Sequence, residues 1–566
     1  MKILLPKEPK ELRSFVLTEL NVVELNDIEV DRLLPHIYES AIKQGRYSGA
    51  LKDFSADAYE GYLTSLLGKE YLTGFADDLG RDVLDAWLRA SVVAFGSAGR
   101  ARQSAKMDYI HARTVAAYRA GFPDRRRDRQ ADTVTYEQLL QAVERRQVAG
   151  TLPSDRTPRQ ALAEIVRRTV GEGVEISDPP KWAPSYDGET RIDISTLLAL
   201  RFLEEFEARS AQGEVREKGG LPSRQHLVRK NPPVPAATSP LGTDVLSYLI
   251  SYGEVSPARS VAQHLSAVLG IRLFQLPLRT TLAIHSLLLD DTLPKDMAGV
   301  DATNPLEQFA DFTGDKSSDA FELARNCVQR DLRLIQTGLR DRLLLRSTLR
   351  AAQNAQILPE DFHQLPGPER FAMLCRLTSD PTLEPFFKID LQAIRSQNQD
   401  NEDEEAKEFI KRLSDGSRPV VDRLTDALYE ATKITATGNW LKWFRTAGGL
   451  GRDNGILVGD QRNRASWAYA PGNDLLTAML GIVFTTQTST PLRAMPLAEV
   501  LRRLEAQFGL LIDRPPSDMS NVATRAAAGA NLDAFKRRLK LLGVFDGLSD
   551  DFTAQIVLNP LTIAAK

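Results

Sequence analysis

Apolar side chains recur at steps of three and four along most of this chain, and that spacing commits it to amphipathic helices before any other feature is weighed. Val30, Leu33, Leu34 and Ile37 form one such set, followed by Tyr59, Leu63 and Leu66, then Val83, Trp87 and Val92. From Asp27 to Gly121 the pattern predicts a run of helices, with Ser55 and Ser104 positioned as caps. Thr135, with Gln138 three residues on, reads as a capping box that opens the next helix over Leu139, Leu140 and Val143. Periodicity continues through Leu162 and Ile165 to Leu198 and Phe202, then resumes at Thr243 and runs through the strongly apolar stretch Leu273 to Leu289. An arginine-studded helix follows, with Leu332, Ile335, Leu339 and Leu343 on its apolar face. The fold class expected is mainly α.

A chain of 566 residues is longer than one hydrophobic core usually serves, so several domains are expected. The segment 210–242 is rich in glycine and proline and lacks apolar periodicity, which predicts a linker. Helical domains are then expected over 1–130, 135–209 and 243–447, with a different module over 448–566. The polar, acidic stretch from Ser396 to Glu405 reads as an exposed loop or a disordered insert.

After Gly448 the character changes. Gly448, Gly449, Gly451 and Gly455 punctuate the chain, and Ile456 to Val458 and Ala465 to Tyr469 predict a β-hairpin. A helix capped by Asn473 or Asp474 follows, a second is expected from Leu497 to Phe508, and a third from an N-cap at Asn531 with Leu532, Phe535 and Leu539 on one stripe. Thr553 to Leu558 predict a last strand. Three helices, a turn and a terminal strand resemble a winged helix, a helix-turn-helix variant, despite the long segment Asp513 to Ala530 before the third helix. That resemblance implies either a third helix that enters the major groove or a protein-binding adaptor. The segments Gly455 to Leu476 and Leu539 to Pro560 are also similar to subunits encoded in bacterial anti-phage defence operons, which implies partners among the other proteins of such an operon.

Seventy-two basic side chains stand against 75 acidic ones, a net charge of -3, so any affinity for a polyanion must be local. Three local patches stand out. Arg125, Arg126, Arg127 and Arg129 close the most basic stretch; Arg342, Arg346 and Arg350 repeat every four residues on one helical face; Lys536, Arg537 and Lys540 lie off the apolar stripe of the third C-terminal helix. The competing reading is that such arginines pair with acidic neighbours on adjacent helices.

Motifs for chemistry are sparse. The sequence has no phosphate-cradling Gly-x-x-x-x-Gly-Lys run, and Gly449-Leu450-Gly451 has no third dinucleotide glycine after it. His264 and His285 are the closest histidines, with no cysteine near either, so neither a metal nor a cofactor is expected. Cys327 and Cys375 read as buried free thiols of a reducing compartment. His285 with Asp290 and Asp291 comes nearest to a magnesium nuclease centre, although the two aspartates also read as the polar end of an apolar helix. His111 reads as a packing residue. Trp440, Trp443 and Phe444 read as core, with Lys442 and Arg445 beside them offering a partner-binding face. The stretch Leu475 to Phe484 is about half the length of a membrane span. The expectation is a cytoplasmic, non-catalytic, DNA-binding subunit that positions an effector. A pure protein-interaction scaffold is the alternative, and a cryptic metal-dependent nuclease the third reading.

Overall fold

The computed structural model describes residues 2–6, 17, 20, 22–45, 56–70, 72–92, 94–96, 109–111, 115–121, 128–177, 184–210, 231–290, 303–414, 416–546 and 555–563. Helix makes up 64% of these residues and strand 5%, so the protein is mainly α. The first half holds α1 (Leu33–Ile42), α2 (Ala56–Leu67), α3 (Asp78–Ser91), the strand pair β1 (Ala94–Gly96) and β2 (Tyr109–His111), α4 (Val115–Ala120), α5 (Ala131–Val148), α6 (Pro158–Val170), the pair β3 (Val174–Ile176) and β4 (Pro184–Tyr186), and α7 (Ile194–Ser210). The middle holds α8 (Pro235–Tyr252), α9 (Ala258–Asp290), β5 (Gln308–Phe309), α10 (Asp319–Asn354), α11 (Gly367–Leu377), α12 (Glu384–Gln397), α13 (Glu404–Arg412) and α14 (Val420–Ala447). The C-terminal part runs β6 (Leu457–Val458), β7 (Ala468–Tyr469), α15 (Asn473–Val483), β8 (Ala494–Pro496), α16 (Leu497–Phe508), β9 (Leu510–Leu511), α17 (Val522–Leu541), β10 (Phe545–Asp546), β11 (Ile556–Leu558) and α18 (Pro560–Ile563).

The centre of the molecule is α9. Buried apolar side chains lie all around its circumference, with Arg272, Gln275 and Arg279 buried among them, which suits a helix packed on every side rather than one with a wet face. It is long and apolar enough to cross a membrane by length and composition, yet 94% of that apolar window is buried inside the protein. Packed around it are α8, α10, α14 and α15. One continuous apolar cluster reaches from Ile3 to Leu561 and takes in all these helices, so the blocks read from the sequence share a core. A smaller cluster gathers Tyr59, Tyr62, Leu84, Leu88, Leu198 and Phe202 from α2, α3 and α7.

Several elements differ from the sequence expectation, each for a local physical reason. Ser104, expected to cap a helix, lies outside the described residues, and Tyr109–His111, expected within that helix, form β2, which pairs antiparallel with β1. Helix α5 begins at Ala131, not at Thr135, and Thr135 lies fully buried inside it. The capping boxes are elsewhere, at Thr157 with Gln160 before α6 and at Asn521 with Thr524 before α17. Within the expected linker, Pro235 opens α8, where its missing N–H costs nothing. The polar stretch Ser396 to Glu405 is ordered, the end of α12 and the start of α13 joined by a turn over 398–403. Asn398 exchanges hydrogen bonds with both backbone groups of Leu4, at 2.9 and 2.8 Å, and Asn401 donates to the carbonyl of Lys2 at 2.9 Å. Asp403 then caps α13. These amides satisfy both backbone groups of Leu4 and the carbonyl of Lys2, in a segment that has no strand partner among the described residues.

The third C-terminal helix starts nine residues before Asn531. The alanines at 526 to 528 extend it back to Val522, and Asn531 sits fully buried in its middle. Its side chain accepts from the Phe312 N–H at 2.7 Å and donates to the carbonyls of Ala310 and Ile512 at 2.9 and 3.0 Å. The amide thus joins α17 to β5 and β9, which pair in parallel. Replacing Asn531 with Ala strands one N–H and two carbonyls in the core. At about 1–3 kcal/mol for each unsatisfied group, the urea midpoint should fall by an amount equivalent to at least about 3 kcal/mol.

Cys327 and Cys375 are both free and buried. Burial pushes the Cys327 thiol up to about 12, so thiolate is scarce at ordinary pH. Titration with a chromogenic disulfide at pH 8 should leave both thiols unmodified in the native protein and modify both after guanidinium unfolding.

Candidate nucleic-acid interface

Helix α14 carries two kinds of face. Trp440, Trp443, Phe444 and Ala447 point into the core, where the Trp443 indole donates to the Leu273 carbonyl at 3.0 Å and Phe444 meets Phe274 edge to face. The tryptophan cluster is therefore core. On the opposite side, four-residue steps bring Lys433, Thr437, Leu441 and Arg445 into one row, with Glu430, Ile434, Gly438 and Lys442 in the row beside it. These two rows form one wall of a groove.

The other wall is the turn between β6 and β7. Gly449, at φ +61°, lets the chain fold back so closely that a Cβ on Gly455 would lie 2.0 Å from the Gly449 carbonyl oxygen. This close approach brings the β6–β7 hairpin against α14. The turn itself is held by its own polar groups: Asp460 accepts from the Arg462 N–H at 2.8 Å, Asn463 from the Ala465 N–H at 3.1 Å, and the Trp467 indole donates to the Asp460 carbonyl at 2.8 Å. Trp467 stacks parallel to Phe444. Arg462 and Arg464 project from this braced turn into the groove, which encloses about 920 Å³.

Its lining contains five cations, Lys433, Lys442, Arg445, Arg462 and Arg464, and one carboxylate, Glu430. Glu430 is already engaged by Lys433. Lys442 donates to the Asn439 side chain at 3.3 Å. Arg445, Arg462 and Arg464 have no acidic partner among the described residues. Guanidinium groups that face solvent without a partner are suited to bidentate contact with phosphate or carboxylate.

A second hollow of about 510 Å³ lies further along α10. It opens between Asn326, Gln329 and Arg333 of that helix and the segment 518–524 that leads into α17. Gln329 borders this hollow and donates to the Arg464 carbonyl at 3.0 Å, so α10 runs beside both. Arg333 is exposed.

The sequence model of the methylation-associated defense system protein MAD7 family matches residues 10–561. The chain belongs to that family. Comparison with curated proteins and with solved structures gives no match. Family membership makes the MAD7-family chain a component of a defence system, and a system implies further components. The resemblance read from Gly455 to Leu476 and Leu539 to Pro560 thus extends over nearly the whole length.

The cationic residues singled out in the sequence are dispersed in this MAD7-family structure. Arg125, Arg126 and Arg127 lie outside the described residues. Arg129 is paired with Asp27 and Glu24, at 2.5 and 3.2 Å. Arg342 is only 3% exposed; it lies over the Trp440 ring at 4.6 Å and donates to the Gly338 carbonyl at 2.9 Å. Desolvation lowers its pKa to about 10. Arg350 faces Asp390 at 3.2 Å, and Arg346 between them is half-buried. This row lies against neighbouring helices, with Arg342 buried and Arg346 and Arg350 half-buried. On α17, Lys536 lies 3.9 Å from Asp533, Lys540 sits 6.0 Å from the Phe545 ring centroid, and Arg537 is exposed. On α16, Arg502 and Arg503 are occupied by Glu499, whose carboxyl they hold down at about 2.

The nuclease constellation is not assembled among the described residues. His285 reaches Asp341 at 3.2 Å, Asp290 is exposed at the end of α9, and Asp291 lies outside the described residues. His264 instead meets the Tyr248 hydroxyl at 2.8 Å, and burial lowers its pKa. Sequence reasoning missed the groove because its cations come from two elements, although Lys442 and Arg445 beside the tryptophans were the visible part of it. Replacing Arg342 with Ala removes packing and a cation–ring interaction from the core. Thermal or urea unfolding should register a loss of about 2–4 kcal/mol, with no change in the charge of the groove.

Proposed function

We propose that this chain is the nucleic-acid-holding subunit of its defence system: a non-catalytic, cytoplasmic protein that binds duplex DNA largely without regard to sequence and positions an effector supplied by another component. The observation that carries this reading is the groove with four cations left over once Lys433 is paired with its single carboxylate, Glu430. Cations in an open groove contact phosphate and sugar oxygens, which carry no sequence information, and this favours affinity without sequence selection.

The C-terminal module supports the same reading. Helices α15, α16 and α17, with the antiparallel sheet ordered β10–β11–β8, occur in the order helix, strand, helix, helix, strand, strand, and we read this as a winged helix. Its third helix would be α17, whose exposed side carries Arg525, Arg537 and Lys540 and whose first turn borders the second hollow. DNA lying in the groove would then extend toward this helix.

The test is a salt titration of duplex DNA binding by the full chain and by an Arg445→Glu, Arg462→Glu, Arg464→Glu variant. The wild type should lose affinity linearly in log–log form, and the variant should bind more weakly, with a slope shallower by about 0.9 for each phosphate it no longer neutralises. Equal affinity and slope for the two proteins would remove the groove from DNA binding. A wild type that ignores DNA at low salt, yet co-purifies with another component of the system, would make the chain a protein scaffold instead.

A further inference from the structure

Outside the groove, three side chains separated in sequence converge. His36 lies on α1, Asp128 three residues before α5, and Asp132 in the first turn of α5. All three are buried, and one ligand atom from each lies within 4.8 Å of the other two. Helices α1 and α5 pack against each other, so the three groups bridge a helix–helix interface.

The detailed arrangement of Asp128 is what sets this cluster apart from an ordinary polar contact. Its Oδ1 accepts from the Gln130 N–H at 3.1 Å, and its main-chain carbonyl accepts from the Ala131 N–H at 2.9 Å. The carboxyl is therefore fixed in orientation. Its other oxygen, Oδ2, is buried and has no hydrogen-bond donor among the described residues, and the residue as a whole is 4% exposed. Arg129, the adjacent cation, is turned away to Glu24 and Asp27. Lys43 is held by Glu39. A buried carboxylate oxygen without a donor is a costly state, and a second carboxylate close by adds like-charge repulsion. The positive end of α5 offsets part of that, by less than a full charge.

We propose that His36, Asp128 and Asp132 bind a first-row divalent cation, with zinc(II) the best fit. One imidazole nitrogen and two carboxylate oxygens are a donor set for Zn²⁺, Mn²⁺ or Fe²⁺, and the nitrogen argues against Mg²⁺. With each donor about 2.1 Å from a shared ion, the donor atoms stand at most about 4.2 Å apart. The observed span of up to 4.8 Å needs only a small closing movement. The ion would supply the missing partner of Asp128 Oδ2, cancel the repulsion between the two aspartates, and clip α1 to α5. Because the ligands are buried, the role is structural. Histidine spacing along the chain carries no hint of this site, since its acidic ligands are more than 90 positions from His36.

The test uses untagged full-length protein, depleted of metal by a chelator and then dialysed against Zn²⁺. Elemental analysis should find about one zinc per chain, and the melting temperature should rise on zinc addition. Asp128→Asn and His36→Gln should each lose at least ~100-fold in zinc affinity, more than the removal of a residue that merely supports a ligand causes, and should lose the thermal shift. Asp290→Asn, on the exposed end of α9, should bind zinc like the wild type. Binding of Mn²⁺ in place of zinc, with the same dependence on Asp128, would also support the site. A wild type that retains no metal and shows no thermal shift with Zn²⁺ or Mn²⁺ would overturn the proposal whether or not the variants fold, and so would zinc binding unchanged by both substitutions.

Discussion

The structure depends on how a central helix with polar groups along it is satisfied from outside. Helix α9 is buried on all sides, yet it carries Arg272 and Gln275 where no water reaches. Arg272 meets Asp244 of α8 at 2.6 Å and donates to the Gln507 carbonyl of α16 at 2.7 Å. Gln275 donates to Gln308 of β5 at 2.8 Å and to the Phe508 carbonyl at 2.7 Å. Gln308 in turn donates to Asp331 of α10 at 3.0 Å, and the same Asp331 oxygen accepts from Tyr469 of the hairpin at 2.7 Å. A chain of buried hydrogen bonds thus runs from α8 through α9 to α10, the hairpin and the C-terminal module. Partly satisfied networks of this kind are costly in a low dielectric, so the elements must dock in one register. The groove inherits its shape from that requirement, since β7, which carries Tyr469, also ends the turn that holds Arg462 and Arg464.

Local periodicity was sufficient for much of this. Helix α16 occupies the Leu497 to Phe508 span its apolar residues predict, the hairpin forms around Asp460 to Asn463, and α10 buries the Leu332, Ile335, Leu339 and Leu343 face. Periodicity says which residues share a face but not which way the face is turned, and the arginine row shows the limit. Arg342, Arg346 and Arg350 share a face as their spacing requires, but that face meets Trp440 and Asp390. Polar residues mislead in the other direction. Asn531, Asn398 and Asn401 have the look of caps or loop residues, whereas each is buried and binds backbone far away in sequence. Pairings of such separation leave no periodic trace. The groove was half legible for the same reason: Lys442 and Arg445 belong to one helix, while Arg462 and Arg464 join them only through tertiary folding.

The near-neutral net charge conceals a division of labour. Many arginines are matched internally, as in Arg514 with Glu505 and Glu307, Arg330 with Asp331, and Arg168 with Glu164. Exposed pairs such as Arg168 with Glu164 contribute little stability individually. Their larger effect is to cancel the field around most of the molecule, so the unmatched cations of the groove dominate locally although the whole chain is slightly acidic.

The adjacency of the two hollows along α10 also fixes a length. From Asn326 to Gln336 the helix rises about 15 Å, which in B-form DNA corresponds to only four or five base pairs at about 3.4 Å each. On the proposed reading, the stretch of α10 between the two hollows would span less than half a turn of a duplex. A longer hold on DNA would then have to come from several such clasps side by side, through repeated copies or through the other components of the system.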